Sequence, residues 1–175
     1  MRLHTRTKAF SLLEMMLVLA VAAVLVIGVF MIYPKVSSSQ KIDSDMKLLS
    51  TINGGIKGIF ASKANYDGLS TDMVIKAQLV PEDNVEDGQI WNAWGATVLI
   101  DTWYDGSYRI GFENISPDAC PKFISQAGAS FFKIQVEGTE VKNTADNKDF
   151  NVETAAQACA SVSDNRPVTV YFYDK

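Results

Sequence analysis

The feature that most constrains this chain is a long apolar run near its N-terminus. From Phe10 to Tyr33 every residue is apolar except Ser11 and Glu14. A helix over this run would measure about 36 Å at about 1.5 Å per residue. The hydrocarbon core of a bilayer is about 30 Å thick. The run therefore predicts a membrane-spanning helix.

A short basic segment precedes the run. Residues 1–9 contain Arg2, Arg6 and Lys8 and no acid, which favours a cytoplasmic N-terminus. An ordinary secretory signal has a shorter apolar region followed by a small-residue cleavage site. Glu14 is a second departure from that pattern, because a carboxylate near the end of a membrane helix is costly unless it is paired. Alternatively, Glu14 lies at the level of the lipid headgroups and costs little.

Composition limits the classes of function. The chain has 175 residues, which suits one domain plus an anchor, and 47% of them are apolar. A net charge of −4 without a basic patch argues against nucleic acid as a partner. The single histidine is His4, so a chain that has lost residues 1–9 lacks the commonest general base and metal ligand. We expect no catalytic residue, no metal site and no cofactor.

The sequence becomes polar after Pro34 but keeps a helical spacing of apolar residues. This spacing predicts the amphipathic second half of one long helix, packed on a globular head. Its apolar residues are Ile42, Met46, Leu49, Ile52, Ile56, Ile59 and Phe60. Gly28 and Pro34 predict a kink, since glycine weakens a helix and proline lacks a backbone donor. Gly54, Gly55 and Gly58 indicate a fraying end, a close approach to the sheet, or simple surface tolerance.

The remainder alternates short helices with strands, which is typical of the α+β class with an antiparallel sheet and inserted helices. The predicted helices are 71–78, 116–127 and 153–160, and the predicted strands are 97–101, 108–113, 131–136 and 167–173. Ser70 and Ser116 are the expected N-caps, and Gly106 lies in the turn between the first two strands. Residues 138–151 are predicted to form a polar loop. The last strand is apolar and aromatic, so we expect it at the centre of the sheet, buried on both faces.

Two further clusters are open to more than one interpretation. The acidic residues of segment 82–87 lack the ligand spacing of an EF-hand, which favours a solvated loop over a calcium site. Trp91, Trp94, Trp103 and Tyr104 lie close to the first strand in sequence. They favour core or a subunit interface over a carbohydrate-binding face.

The N-terminal motif resembles the class III signal of type IV pilin precursors. It consists of the basic leader, Ala9, and then Phe10-Ser11-Leu12-Leu13-Glu14 followed by the apolar run. The resemblance implies that a prepilin peptidase cuts between Ala9 and Phe10 and that Phe10 is N-methylated. It also implies an assembly salt bridge between the new amine of Phe10 in one subunit and Glu14 of another. Ala9 departs from the family pattern, which usually has glycine before the cut.

The rest of the chain resembles the b subclass of type IV pilins, and in particular the major subunits of bundle-forming pili. The matching pieces are Asn92–Ala96, Ser116–Cys120 and Ala155–Cys159. The resemblance implies a disulfide between Cys120 and Cys159 that ties region 120–159 to the head. Two buried free thiols are the alternative. The implied organisation is a leader at 1–9, a transmembrane and assembly segment at 10–34, and a head at 35–175.

This resemblance implies a structural subunit of a type IVb pilus, and not an enzyme. The implied partners are further copies of the chain, the prepilin peptidase, and the assembly machinery in the inner membrane of a Gram-negative bacterium. The subunit would reside in that membrane before it joins an extracellular filament for adhesion, cell aggregation or conjugation. A minor pilin or a type II secretion pseudopilin is one alternative. A membrane-anchored periplasmic enzyme or binding module is another.

The leader assignment predicts a defined mature N-terminus. We expect intact-mass and peptide mass spectrometry of the protein from its native host to find N-methylated Phe10 as the first residue. A protein that still begins at Met1, or that is cut beyond Tyr33, would contradict the assignment.

Overall fold

The structure, a computed structural model, describes residues 12–161 and 166–175, and it describes side chains in these ranges except at 28–36 and 105. The chain divides into two compact units, residues 1–38 and residues 39–175. The first element, helix α1, runs from Leu12 to Phe60. In the described part of the chain, no helix combines the length and the apolarity needed to cross a membrane. The span expected at residues 10–34 includes positions outside the described set.

The apolar stripe predicted for the second half of α1 is present, with one error. Ile42, Leu49, Ile52, Ile56 and Phe60 are buried, together with Leu48, and Met46 is partly buried. Ile59 was expected to be buried and is instead 41% exposed. The helix ends one residue later and residues 61–65 are all exposed, so the segment that follows the helix does not cover Ile59.

The glycines of α1 differ in their surroundings. A Cβ at Gly55 would lie 3.1 Å from Leu79, so Gly55 permits a close approach of the segment after the next helix, and not of the sheet. Gly54 and Gly58 face open space within an unbroken helix. At these two positions glycine is simply tolerated on the helix surface. None of the three glycines ends the helix.

The head is built on a five-stranded antiparallel sheet. Its strands are β3 (Val98–Trp103), β4 (Ser107–Ile115), β5 (Lys133–Val136), β6 (Thr139–Asn143) and β7 (Val168–Asp174), in the order β3-β4-β7-β5-β6. A separate small hairpin consists of β1 (Val85–Glu86) and β2 (Gln89–Ile90). The inserted helices are α2 (Thr71–Lys76), α3 (Cys120–Ala127) and α4 (Val152–Ala160). This arrangement confirms the predicted α+β class.

The last strand is central, as predicted, because β7 pairs with β4 on one side and with β5 on the other. Its two faces differ, which corrects the expectation of full burial. Val168, Val170 and Phe172 are completely buried, whereas on the opposite face only Tyr173 is completely buried and Thr169 and Tyr171 are partly covered. The helices therefore pack on one side of the sheet, and the side chains of the sheet itself cover much of the other.

Two local predictions were wrong. Residues 138–151 are not only loop, since β6 lies within them and pairs with β5. Helix α3 begins four residues later than Ser116, which does not cap it. Ser116 instead opens a turn in which its carbonyl accepts the N–H groups of Ala119 and Cys120. Ser70 was predicted correctly, because its hydroxyl accepts the N–H of Met73 at the start of α2.

The outer face of the sheet is held together by cation–π contacts. The guanidinium of Arg109 lies 4.4 Å from the ring centre of Trp103 and 4.9 Å from that of Tyr171. Asp101 on the neighbouring strand accepts two hydrogen bonds from Arg109, at 2.7 and 2.8 Å. Tyr171 in turn lies against Gly111, directly opposite on β4. The missing side chain of Gly111 is what allows the tyrosine ring to lie flat there.

Both edges of the sheet carry short local pairings. At the β3 edge, the hydroxyl of Thr71 accepts the N–H of Ile100 at 2.9 Å and donates to its carbonyl at 3.3 Å. Ser70 forms an isolated bridge with Asp101 beside it. At the other edge, Asn143 forms a bridge with Lys148. The backbone of the outermost strands is therefore partly occupied within the chain.

The contact between Gly111 and Tyr171 gives a stability prediction. In Gly111→Ala the new Cβ would lie 2.6 Å from the Tyr171 ring, so the ring has to move off Arg109. We expect the free energy of unfolding to fall by about 1–3 kcal/mol, as in other overpacked sites. Urea unfolding of the full chain in detergent measures the change.

Gly54→Ala is the matched control, since it adds the same methyl group to open space in a helix. It should leave stability unchanged or raise it by about 0.5–1 kcal/mol. Equal destabilisation by both substitutions would contradict the packing explanation for Gly111.

Candidate functional site

The first candidate site is the apolar half of α1. The large apolar side chains between residues 12 and 27 are 53–74% exposed in the part of the chain that the structure describes. Glu14 is the acid in the first turn of the helix. Ala9 and Phe10, the expected cleavage and methylation positions, lie outside the described residues. The salt bridge between Phe10 and Glu14 therefore stays a prediction.

The expected kink also stays a prediction. The backbone of α1 is helical through Gly28 and Pro34. Side chains at 28–36 are outside the described set.

The second half of α1 is hydrogen-bonded to the end of β7 through a buried carboxylate. Asp174 is 6% exposed and accepts hydrogen bonds from the Asn53 amide at 2.9 Å and from the Lys57 ammonium at 2.7 Å. The Tyr108 hydroxyl donates a hydrogen bond to the side-chain carbonyl oxygen of Asn53. Burial, with the charge of Asp174 as a second cause, raises the pKa of Tyr108, so this tyrosine stays protonated as a donor. The network joins residues that lie 121 positions apart in sequence.

A second buried carboxylate, this one on α1, makes a hydrogen bond nearer the start of the head. Asp45 is 1% exposed, and its Oδ1 accepts the N–H of Ala93 at 2.8 Å. The same loop is closed by Asn92, whose side-chain oxygen accepts the N–H groups of Trp94 and Ala96. The ammonium of Lys41, one turn before Asp45, lies 4.8 Å from the ring centre of Trp94. Asp45 therefore holds the 92–96 loop against α1.

The charge of Asp45 is only partly compensated. Its Oδ2 is buried and has no hydrogen bond of normal geometry in the described part of the chain. Burial raises the pKa of Asp45 from 3.8 to about 6, against the opposing effects of the Ala93 N–H, Lys41 and Trp94. Asp45 is therefore protonated more readily in the folded state than in the unfolded chain. Sequence reasoning missed this residue, although its position within the apolar stripe, three residues after Ile42, was a usable signal.

The two cysteines form a disulfide between α3 and α4. Cys120 and Cys159 are buried, with their Cα atoms 5.8 Å apart and 39 positions apart in sequence. The enclosed region holds α3, β5, β6 and α4, and β5 pairs directly with the central strand β7. In the chain-entropy model, a disulfide that closes a loop of this length reduces the entropy of the unfolded chain and so stabilises the fold by about 4 kcal/mol.

The aromatic residues near β3 do not form one cluster. Trp91 and Trp94 lie before β3, where Trp91 forms a bridge with Thr97 and Trp94 packs against the core. Trp103 ends β3 and Tyr104 follows it, and the two rings are in edge-to-face contact at 5.1 Å. The acidic segment 82–87 forms a 3-10 turn and part of the β1–β2 hairpin. Across the described ranges, no group of three or more His, Cys, Asp or Glu residues is arranged to hold a metal ion.

This combination of elements defines a class of protein. A long N-terminal helix, an antiparallel sheet with the last strand at its centre, and a disulfide-closed region together form the fold of a type IV pilin subunit. The crystal structure of TcpA, a type IV pilin from Vibrio cholerae El Tor biotype, shares this fold with a TM-score of 0.60 and 12% identity. A type IVb pilin from Salmonella typhi gives 0.54 and 18%. Each comparison covers 78% of this chain and 99% of the other.

Sequence comparison identifies the family. Residues 39–172 match the family model described as PilS N terminal, and the chain belongs to that family. Residues 4–30 match the prokaryotic N-terminal methylation motif.

The sequence relatives include subunits of one kind of pilus. The major structural subunit of bundle-forming pilus from Escherichia coli O127:H6 is 23% identical over 181 residues, covering 94% of this chain and 93% of the relative. The corresponding subunit of Escherichia coli O111:H- is 30% identical over 80 residues, covering 46% and 41%. These findings confirm the predicted resemblance to type IV pilin precursors.

The raised pKa of Asp45 predicts how stability depends on pH. Because the folded state binds this proton more tightly than the unfolded chain does, the contribution of Asp45 becomes less favourable as pH rises from about 4 to about 6. Asp45→Asn removes the buried charge and keeps an acceptor for Ala93. We expect it to raise the free energy of unfolding near neutral pH by about 1–3 kcal/mol and to have little effect near pH 4.

Thermal unfolding of the full chain at both pH values measures this difference. Asp43→Asn serves as the control, since it removes an exposed acid from the same helix. A stabilisation shared by both variants would show a general charge effect. Destabilisation of Asp45→Asn near neutral pH would contradict the prediction.

Proposed function

We propose that this chain is a structural subunit of a type IVb pilus that polymerises into an extracellular filament. The observation that carries the proposal is the exposed apolar surface of residues 12–27 with Glu14 in its first turn. An exposed apolar patch of this extent indicates a binding surface for another molecule. Membership of the PilS N-terminal family and the bundle-forming relatives support the same function.

Processing would prepare this surface for assembly. A prepilin peptidase would remove residues 1–9 and leave an ammonium group on Phe10, which is then methylated. The match of residues 4–30 to the methylation motif supports this step. Before assembly the subunit would be held in the inner membrane by residues 10–34, in contact with the pilus assembly machinery.

In the filament, Glu14 would select the register between subunits. A buried carboxylate and a buried ammonium group are each costly alone and tolerable as a pair. A subunit docked out of register would leave one of them unpaired. The apolar side chains around Glu14 would supply contact area at any register, so the charge pair would supply the specificity.

The head would provide the surface of the filament. We expect no catalytic activity from it, in keeping with relatives that are named as structural subunits. The disulfide-closed region 120–159 would form a large part of what the filament presents to other cells. Adhesion, cell aggregation and conjugation all remain compatible with such a surface.

Glu14→Ala tests the proposal. We expect the variant subunit to accumulate in the membrane fraction while the yield of sheared filaments falls more than about tenfold, because breaking a buried ion pair costs several kcal/mol. Immunoblotting of the sheared fraction and electron microscopy of the cells measure the two pools.

Two further variants make the result specific. Glu14→Asp keeps a carboxylate and should retain more filament than Glu14→Ala. Asp43→Asn removes an acid from the head part of α1 and should assemble normally. Normal filament yield from Glu14→Ala would contradict the register function.

A further inference from the structure

One end of the five-stranded sheet contains a cavity of about 200 Å³. Four strands contribute residues to it, and the residue after the fifth strand completes it. Trp103 ends β3, Ser107 begins β4, and Lys175 follows β7. Lys133 begins β5 and Asn143 ends β6. The cavity therefore depends on the register of the whole sheet and not on one flexible loop.

The lining combines aromatic rings with hydrogen-bonding groups. The aromatic residues are Trp103, Tyr104 and Phe132, and Tyr104 is 77% exposed at the rim. The side chains of Ser107, Lys133, Asn143, Asp146 and Lys175 add both donors and acceptors. Sites for small molecules typically have this composition, with apolar walls and a few convergent polar groups.

The ring of Trp103 is held in place by side chains that lie outside the cavity. Arg109 covers Trp103 at 4.4 Å, and Arg109 is itself fixed by its two hydrogen bonds to Asp101. Tyr173 contacts Trp103 in an edge-to-face arrangement at 5.4 Å. The ring of Trp103 is therefore preorganised, which lowers the entropic cost of binding a ligand there.

The polar groups of the wall favour a neutral ligand. Lys133 forms a salt bridge with Glu140, and Asn143 donates to the carboxylate of Asp146. The hydrogen bond from Lys133 lowers the pKa of Glu140, so this carboxylate stays charged at neutral pH. A strongly charged ligand would have to compete with these contacts, whereas hydroxyl groups can add to them as both donors and acceptors.

A second cavity of about 320 Å³ adjoins the first. It is lined by Asp101, Thr102, Trp103 and Tyr104. Trp103 and Tyr104 thus border both cavities.

We propose that this end of the sheet binds a neutral hexopyranose residue of a glycan. A pyranose has a flat face of C–H groups that packs on an aromatic ring and a rim of hydroxyl groups that hydrogen-bond to amide, carboxylate and ammonium groups. The cavity presents both kinds of partner together. This binding is independent of the assembly function proposed for residues 10–34.

Saturation-transfer NMR on the full chain tests the proposal, in a detergent that has no sugar headgroup. The probes are methyl β-D-glucopyranoside, methyl β-D-galactopyranoside and methyl α-D-mannopyranoside at millimolar concentration. We expect at least one of them to receive saturation from aromatic protons. Tyr104→Ala should weaken its binding by about fivefold, the size expected for one aromatic contact. Tyr104→Phe keeps the ring and should bind nearly as well as the unaltered chain.

Leu99→Ala is the matched control, because Leu99 is a 42% exposed side chain on the same strand that does not line either cavity. It should leave binding unchanged. Failure of all three glycosides to bind would overturn the proposal, as would unchanged binding by Tyr104→Ala.

Filament yield separates this proposal from the one for assembly. Tyr104→Ala should form filaments at the normal level. Loss of filaments in that variant would identify the cavity as a contact between subunits and would overturn the glycan assignment, while leaving the test of Glu14 unaffected.

Discussion

The head depends on one apolar stripe of α1 packed against one face of the sheet. Burial of Leu49, Ile52 and Ile56 removes their side chains from water completely, and the buried residues of β4 and β7 belong to the same core. Apolar contacts alone would allow the helix to slide along its axis. Asp45 and Asn53, two turns apart, make directional hydrogen bonds to the 92–96 loop and to β7. The apolar stripe supplies the stability, and these two polar contacts specify one position of the helix.

Several charged side chains of the head are paired within the chain. Asp101 pairs with Arg109, Glu140 with Lys133, and Asp174 with Lys57. The segment 12–27 has the opposite character, since its large apolar side chains are 53–74% exposed. In the proposed filament, a subunit built this way would keep its head folded independently of its neighbours and would present one helical surface to them. This division agrees with the proposed change of surroundings from lipid to filament.

Features set by local pattern were predictable from sequence, and features set by distant pairing were not. The stripe of α1 and the apolar strand β7 follow from periodicity and composition over a few residues. Strand β6 was missed because Val141 is its one apolar residue, and it is a strand only through its pairing with β5. The partners of Asp45 and Asp174 lie 48 and 121 positions away. The N-terminal motif was recognisable because its residues are neighbours in the sequence. The cavity beside Trp103 was not, because it forms only when the strands of the sheet pair in register.

The hydroxyl of Thr71 has a consequence for how such subunits can meet. An outer strand with free backbone groups invites another strand to pair with it, and proteins stored at high local concentration are most at risk of that outcome. Here one side chain occupies both backbone groups of Ile100, and the Asn143–Lys148 bridge does similar work at the opposite border. Growth by sheet extension is thereby disfavoured. Crowded subunits are therefore less prone to amyloid-like stacking, which is compatible with the proposed polymerisation through their helices.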